Sequence, residues 1–125
     1  LFAAAPEFQM KDDIRNFLKA KNVAFSDVEN MEDALPEVDA VYMTRIQDEH
    51  DTGNESSKVD SAKYHFKTDY LDIMKQESVV LHPLPRRDEI PVEVDNDPRA
   101  GYWRQEENGM WIRAALIAEI FGKDI

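Results

Sequence analysis

Short apolar runs alternate with amphipathic stretches along most of the chain, and this alternation constrains the fold more than any other sequence feature. Residues 1–5 are an apolar run that Pro6 ends, as at the carboxyl end of a buried strand. Residues 10–18 then carry apolar side chains at helical spacing, and residues 23–28 and 39–44 are two further apolar segments. This alternation of strands and helices predicts an α/β fold with a doubly wound parallel sheet.

Weaker signals indicate further short elements in the first two thirds of the chain. Asn30 can cap a brief helix that Pro36 ends. Residues 64–67 and 78–81 have the composition of strands, and between them Thr68 can cap a helix of one to two turns. These elements would extend the same α/β pattern.

Residues 110–121 read MWIRAALIAEIF, in which only Arg113 and Glu119 are charged, so a helix here is apolar on all sides. It is either a central core helix of this domain or a helix that docks on protein outside this chain. We favour the second interpretation, with residues 1–105 as an α/β domain and residues 106–125 as a C-terminal interdomain helix. At ~1.5 Å per residue the segment is too short to cross a membrane.

Composition excludes several classes of function. The 125 residues carry 26 acidic and 15 basic side chains, a formal net charge of −11, which argues against a nucleic-acid partner. No membrane or secretion signal is present, and the absence of cysteine excludes disulfides and suits a cytoplasmic location. His50, His65 and His82 lack the spacing of metal ligands, so we expect no metal. Because the chain starts at Leu1, already in strand-like sequence, we expect a piece of a longer protein.

Residues 42–47 and residues 81–87 should both leave the sheet at the carboxyl ends of strands, where open α/β sheets bind ligands. The two prolines of the second segment stiffen it and lack N–H groups. The carbonyl groups of Pro83 and Leu84 could therefore stay unpaired and accept hydrogen bonds from a ligand nitrogen. Arg86 then presents a guanidinium fork suited to a carboxylate or a developing oxyanion. The alternative is a proline-stiffened loop with solvated arginines.

Several motifs together resemble one enzyme family. In order and spacing they are similar to the C-terminal half of the catalytic chains of aspartate carbamoyltransferases, over nearly all of the sequence. His-Pro-Leu-Pro-Arg is the most specific of them, because the related ornithine transcarbamylases carry a cysteine after the histidine. The motifs are Tyr-Met-Thr-Arg-Ile-Gln at 42–47, His-Pro-Leu-Pro-Arg at 82–86, Asp-Glu-Ile at 88–90, Val-Asp at 94–95 and Glu-Asn-Gly-Met at 107–110.

The resemblance implies transfer of a carbamoyl group from carbamoyl phosphate to the amine of L-aspartate, in pyrimidine synthesis, without metal or organic cofactor. It implies that Arg45 and Gln47 hold aspartate, and that Pro83 and Leu84 offer carbonyl groups to the carbamoyl nitrogen and the incoming amine. Arg86 would order its segment at the rim of the site. The polar loop from Asp48 to about Lys58 resembles a mobile loop that closes on bound substrates.

The resemblance also implies partners. The carbamoyl-phosphate-binding residues belong to an N-terminal domain that is not in this sequence, and the catalytic chains form a homotrimer. The fragment alone should therefore supply aspartate binding and be inactive. Two alternatives stay open, namely another amino-acid carbamoyltransferase and a non-catalytic α/β interaction module.

Overall fold

The computed structural model of the chain describes residues 1–45 and 61–124. Gln47 and the polar loop from Asp48 to Lys58 lie outside these residues. The strands and helices are, in chain order, β1 Phe2–Ala3, α1 Asp12–Ala20, β2 Asp27–Val28, α2 Met31–Ala34, β3 Ala40–Tyr42, α3 Tyr70–Ile73, β4 Val79–Leu81 and α4 Tyr102–Ile120. Short 3-10 turns lie at Pro6–Phe8, Ser61–Tyr64 and Val92–Asn96.

The strands pair in parallel, which confirms the predicted α/β fold. β1 pairs with β2, with Phe2 opposite Asp27, and β3 pairs with β4, with Tyr42 opposite Leu81. Within the described residues these are two separate two-stranded sheets. The backbone N–H of Met43 also donates to the carbonyl of Leu81 at 2.9 Å, so the two segments still run side by side just beyond β3.

The amphipathic stretch near residue 10 forms α1, as expected. Asp12 and Asp13 lie in its first turn and Lys19 in its last, where their charges complement the helix dipole. Asn30 directly precedes α2 and Pro36 follows it, which matches the expected brief helix.

Two local predictions are wrong. Residues 64–67 form no strand. The 3-10 turn Ser61–Tyr64 occupies the start of this stretch, and the N–H of Phe66 donates to the carbonyl of Glu89 rather than to a strand. The strand-like composition instead reflects burial of Phe66, whose ring packs edge-on against Tyr70 with centroids 5.5 Å apart. The N-cap of α3 is Asp69 rather than Thr68.

Helix α4 begins at Tyr102, well before the apolar segment that predicted it. Tyr102 is fully buried, whereas Trp111 and Ile112 are each 60% exposed and Ile120 is 78% exposed. The interpretation of this segment as a core helix of the same domain is therefore wrong for the chain as described. In the described parts of the chain, we find no helix that could span a lipid bilayer.

One apolar core joins β3, β4, α3 and the start of α4. Its buried members are Leu35, Met43, Phe66, Tyr70, Met74, Val80, Ile90, Val94 and Tyr102. The far edge of β4 is covered by residues 99–101, since Val80 donates to the carbonyl of Arg99 at 2.8 Å and accepts from Gly101 at 2.9 Å. The first turn of α4 is thereby held against the end of the β3–β4 pair.

The close approach of Gly101 to β4 predicts the effect of a substitution. A Cβ atom there would lie 2.4 Å from Cγ2 of Val79, whose β-branched side chain has little freedom to move. We expect Gly101→Ala to destabilise the chain by about 1–3 kcal/mol and to lower the midpoint of thermal unfolding by several degrees. Gly109→Ala is the matched control, because its Cβ would be 3.5 Å from the nearest atom and alanine favours the helix. An equal midpoint for the two variants would contradict this packing.

Candidate functional site

A cleft of about 1080 Å³ opens where β3 and β4 end. Tyr42 and Leu81, the last residues of these strands, lie in its wall. This is the carboxyl edge of the pair, where open α/β sheets bind ligands. Residues 82–86 continue the wall, and α4 contributes Trp103, Arg104, Gln105, Glu106, Asn108, Gly109, Ile112 and Arg113.

The segment that follows β4 has an unusual backbone. Leu84 has a φ of +47°, in the left-handed region that side chains with a Cβ atom disfavour, and the Leu84–Pro85 peptide bond is cis. Within the described parts of the chain, no hydrogen bond is formed to the carbonyl oxygen of Pro83 or Leu84. Both residues line the cleft. The segment therefore offers acceptors to a bound molecule.

His82, at the start of this segment, and Glu89, just beyond its end, hold the segment in place. Both side chains are buried, and Nε2 of His82 lies 2.7 Å from Oε1 of Glu89. The second carboxylate oxygen of Glu89 accepts from the backbone N–H of Arg87 at 3.0 Å. Nδ1 of His82 accepts from the backbone N–H of Leu84 at 2.8 Å. His82 is thus part of the frame of the cleft rather than an exposed group.

Gln105 connects α4 to both strand ends. Its side-chain carbonyl accepts from the backbone N–H of His82 at 3.0 Å, and its side-chain amide donates to the hydroxyl of Tyr42 at 3.1 Å. One side chain therefore fixes the spacing between β3, β4 and α4 at the edge of the cleft.

Arg86 makes its strongest contacts inside the protein. Its two terminal nitrogens donate to the carboxylate of Asp95 at 2.5 and 2.6 Å, and one also donates to the hydroxyl of Tyr102 at 3.0 Å. The guanidinium lies over the rings of Tyr102 and Trp103, at 5.3 and 5.5 Å from their centroids. These contacts tie the end of the segment to the turn Val92–Asn96 and to α4.

The groups of this cluster shift one another's pKa values. Hydrogen bonds from Arg86 lower the pKa of Asp95 below its usual range. Burial, followed by the hydrogen bond to Asp95, raises the pKa of Tyr102 to about 12. The hydroxyl of Tyr102 therefore stays protonated and donates to Asp95 at neutral pH. The Arg86 charge is largely matched by Asp95, so Arg86 contributes little free positive charge to the cleft.

The structure brings some of the predicted site residues together and not others. Pro83, Leu84 and Arg86 all line the cleft. Arg45 is half-buried just beyond β3, but it is not among the residues that line the cleft as described. Gln47 lies outside the described residues. The substrate contacts expected of these five residues stay predictions.

Sequence reasoning gave no role to two residues that shape the cleft. Glu89 belongs to the Asp-Glu-Ile motif, which was a usable signal, although its bonds to His82 and Arg87 depend on the fold of the segment. Gln105 had no signal, because its position depends on the early start of α4. Among the described residues, no group of His, Asp or Glu side chains could hold a metal ion.

Comparison with known proteins places this chain in a family. Residues 2–120 match the model of the aspartate/ornithine carbamoyltransferase Asp/Orn binding domain. The aspartate carbamoyltransferase catalytic subunit of Finegoldia magna is 44% identical over 117 residues, which cover 93% of this chain and 38% of that protein. The chain spans less than two fifths of the length of this relative.

Solved structures agree. The catalytic subunit of M. jannaschii aspartate transcarbamoylase superposes with a TM-score of 0.82 at 35% identity, over 97% of this chain and 39% of that one. The aspartate transcarbamoylase of Trypanosoma cruzi, in complex with carbamoyl phosphate and aspartate, superposes with a TM-score of 0.80 at 31% identity, over 92% of this chain and 39% of that one. The chain therefore belongs to the aspartate/ornithine carbamoyltransferase family and corresponds to its Asp/Orn binding domain.

Proposed function

We propose that the chain is the aspartate-binding part of an aspartate carbamoyltransferase. The complete enzyme would transfer the carbamoyl group of carbamoyl phosphate to the amine of L-aspartate, giving N-carbamoyl-L-aspartate and phosphate in de novo pyrimidine synthesis. The names of the relatives support this reaction, and the Trypanosoma cruzi enzyme has been crystallised with both substrates.

The observation that carries the proposal is the pair of backbone carbonyl groups at Pro83 and Leu84, which accept no hydrogen bond from the described residues and belong to a cleft at the carboxyl edge of β4. Carbonyl oxygens are acceptors, so they suit N–H groups such as those of a carbamoyl group and a neutral amine. A carbamoyl N–H bonded to one of them would fix the plane of the group under attack. An amine N–H bonded to the other would leave the nitrogen lone pair directed at the carbamoyl carbon.

The reaction asks little acid–base chemistry of these residues. The amine attacks the carbamoyl carbon, the bond from that carbon to the phosphate oxygen breaks, and the leaving phosphate can accept the proton that the amine loses. Orientation of the two reactants then supplies much of the rate acceleration. Carbonyl groups held at fixed positions are suited to that task.

Binding of aspartate needs local positive charge, because the substrate carries two carboxylates and the chain has a net charge of −11. Arg104 and Arg113 line the cleft, whereas the charge of Arg86 is matched by Asp95. We propose that Arg45 and Gln47 approach the substrate from the end of β3. The rest of the site, which holds the phosphate group, would come from the N-terminal domain.

The exposed apolar side chains of α4 support a docking role for this helix, and the resemblance supports the other proposals. Residues 106–125 would dock on the N-terminal domain, which would cover side chains such as Trp111 and Ile120. We propose a homotrimer of catalytic chains and a cytoplasmic location, with no metal or organic cofactor. Another amino-acid carbamoyltransferase is less favoured, since the relatives compared above are aspartate enzymes.

The first test is an assay of the complete enzyme with carbamoyl phosphate and either aspartate or ornithine as acceptor. We expect carbamoylation of aspartate and none of ornithine, and no turnover by the 125-residue chain alone. Preference for ornithine would contradict the proposed substrate. A complete enzyme that binds neither carbamoyl phosphate nor a bisubstrate phosphonate analogue in calorimetry would instead indicate a non-catalytic module.

Arg45 should matter for aspartate affinity, because a charge-assisted bidentate pair contributes about 1.5–3 kcal/mol that lysine cannot fully reproduce. We expect Arg45→Lys in the complete enzyme to raise the KM for aspartate about ten-fold or more. Arg15→Lys is the matched control, since Arg15 pairs with Asp27 far along the chain from the cleft residues and its loss should leave this KM unchanged. An unchanged KM in Arg45→Lys would refute the role of Arg45.

The pairing of Arg86 with Asp95 predicts a pH-dependent contribution to stability. Because the pKa of Asp95 is lowered in the folded chain, the pair stabilises the fold above the ordinary Asp pKa of about 3.9, and that stabilisation is lost as pH falls through the lowered value. We expect Asp95→Asn to reduce the free energy of unfolding by about 1–2 kcal/mol at neutral pH. In urea unfolding the difference from wild type should shrink as the solution is acidified.

Asp27→Asn is the control for this measurement, because the carboxylate of Asp27 is 42% exposed and its pair with Arg15 should contribute less. A difference between Asp95→Asn and wild type that stayed constant from neutral to strongly acidic pH would show that the pair with Arg86 is not its source.

A further inference from the structure

Leu84 holds a backbone conformation that needs support. Its φ of +47° is unfavourable for a side chain with a Cβ atom, and such residues persist only where surrounding contacts hold them. Its neighbours Pro83 and Pro85 have no N–H, so the N–H of Leu84 is the one backbone donor between them. That N–H donates to Nδ1 of His82 at 2.8 Å. The imidazole of His82 therefore holds the backbone of this residue through its N–H.

The hydrogen bonds of His82 define its tautomer. A backbone N–H can only donate, so Nδ1 of His82 must be the unprotonated nitrogen. The ring proton then lies on Nε2 and is donated to Oε1 of Glu89, 2.7 Å away. An imidazolium, or the tautomer with the proton on Nδ1, would have no acceptor for Leu84. Glu89 thus selects the form of His82 that can hold Leu84.

The peptide plane carries this constraint to the cleft. The Pro83–Leu84 peptide bond is trans, so the carbonyl of Pro83 points in the direction opposite to the N–H of Leu84. Since that N–H points at the buried ring of His82, the carbonyl points away from the ring. The direction of an acceptor that we assign to the substrate is therefore set by His82.

We propose that His82 is a positioning residue for carbamoyl transfer, acting as its Nε2-protonated tautomer, held by Glu89, to fix Leu84 and aim the carbonyl groups of Pro83 and Leu84 into the cleft. This proposal rests on the proposed function of the cleft. His82 touches no substrate in this role. Its loss should reduce the rate of the chemical step more than the affinity for aspartate, which we assign to Arg45.

Two substitutions separate the two bonds of the ring. The side-chain oxygen of asparagine lies near the position of Nδ1 and readily accepts the N–H two residues ahead, so His82→Asn keeps the hold on Leu84 and loses the bond to Glu89. The longer glutamine places its amide near the position of Nε2, so His82→Gln keeps the bond to Glu89 and loses the hold on Leu84. Each variant loses one buried hydrogen bond, and thermal unfolding checks that their stabilities match.

The kinetic test uses the complete enzyme. We expect His82→Gln to lower kcat about ten- to hundred-fold while the KM for aspartate changes less than about three-fold, because misplaced reactants slow the reaction without weakening the carboxylate contacts. We expect His82→Asn to retain kcat within about three-fold of wild type. If the role of His82 were purely structural, kcat would instead fall equally in both variants.

Hydrogen–deuterium exchange provides a readout that does not depend on turnover. Since prolines have no amide hydrogen, exchange within residues 83–86 reports only on Leu84 and Arg86. Exchange should be faster in His82→Gln than in wild type and unchanged in His82→Asn. Equal exchange in the two variants would overturn the positioning role whether or not the enzyme is active. An inactive wild-type enzyme would contradict the proposed function, and equal kcat values in an active enzyme would overturn the inference alone.

Discussion

The proposed site depends on one constraint, which is that a short segment after β4 has few backbone N–H groups. Pro83 and Pro85 supply carbonyl groups but no N–H, so the chain after β4 cannot continue the sheet ladder. Within residues 83–85 the one backbone N–H, on Leu84, turns inward to His82. The segment is therefore left with acceptors at the carboxyl edge of a parallel strand pair, in the place where such folds bind ligands.

The surroundings hold this segment at both ends. Glu89 bonds the side chain of His82 and the backbone of Arg87, while Arg86 is locked to Asp95 and lies over Tyr102 and Trp103. Buried polar groups of this kind are stable only when every member has a partner. No buried side-chain nitrogen or oxygen among the described residues lacks one. A rigid frame around carbonyl groups that accept no hydrogen bond from the described residues suits a reaction that depends on orientation.

Sequence patterns predicted the parts of the fold that local chemistry determines. The apolar spacing of residues 10–18 predicted α1, and the apolar runs before residue 45 predicted parallel strands. The strand expected at 64–67 failed because burial of one side chain, Phe66, resembles strand alternation in a short window. The extra turns of α4 were missed because its first residues contact β4 through Gly101, a tertiary contact without a local signal.

The candidate site likewise has features that follow from residue type alone and features that depend on the fold. The two prolines by themselves indicated unpaired carbonyl groups, because the absence of an N–H is a property of the residue and does not depend on the fold. The role of Gln105 could not be predicted, since it joins α4 to two strand ends that are far away in sequence. The role of Glu89 could not be predicted because its bonds to His82 and Arg87 form only when the segment folds back on itself. Arg86 could be placed at the rim of the site, but its partner Asp95 depends on the fold of the turn that follows.

A crystal structure of the complete enzyme with carbamoyl phosphate and a dicarboxylate that lacks the attacking amine would show whether these carbonyl groups bind the substrate. We expect the carbonyl oxygen of Pro83 or Leu84 to lie within about 2.7–3.2 Å of the carbamoyl nitrogen, the range of an ordinary hydrogen bond. A carbamoyl nitrogen bound elsewhere, with both carbonyl oxygens turned away from the cleft, would contradict it.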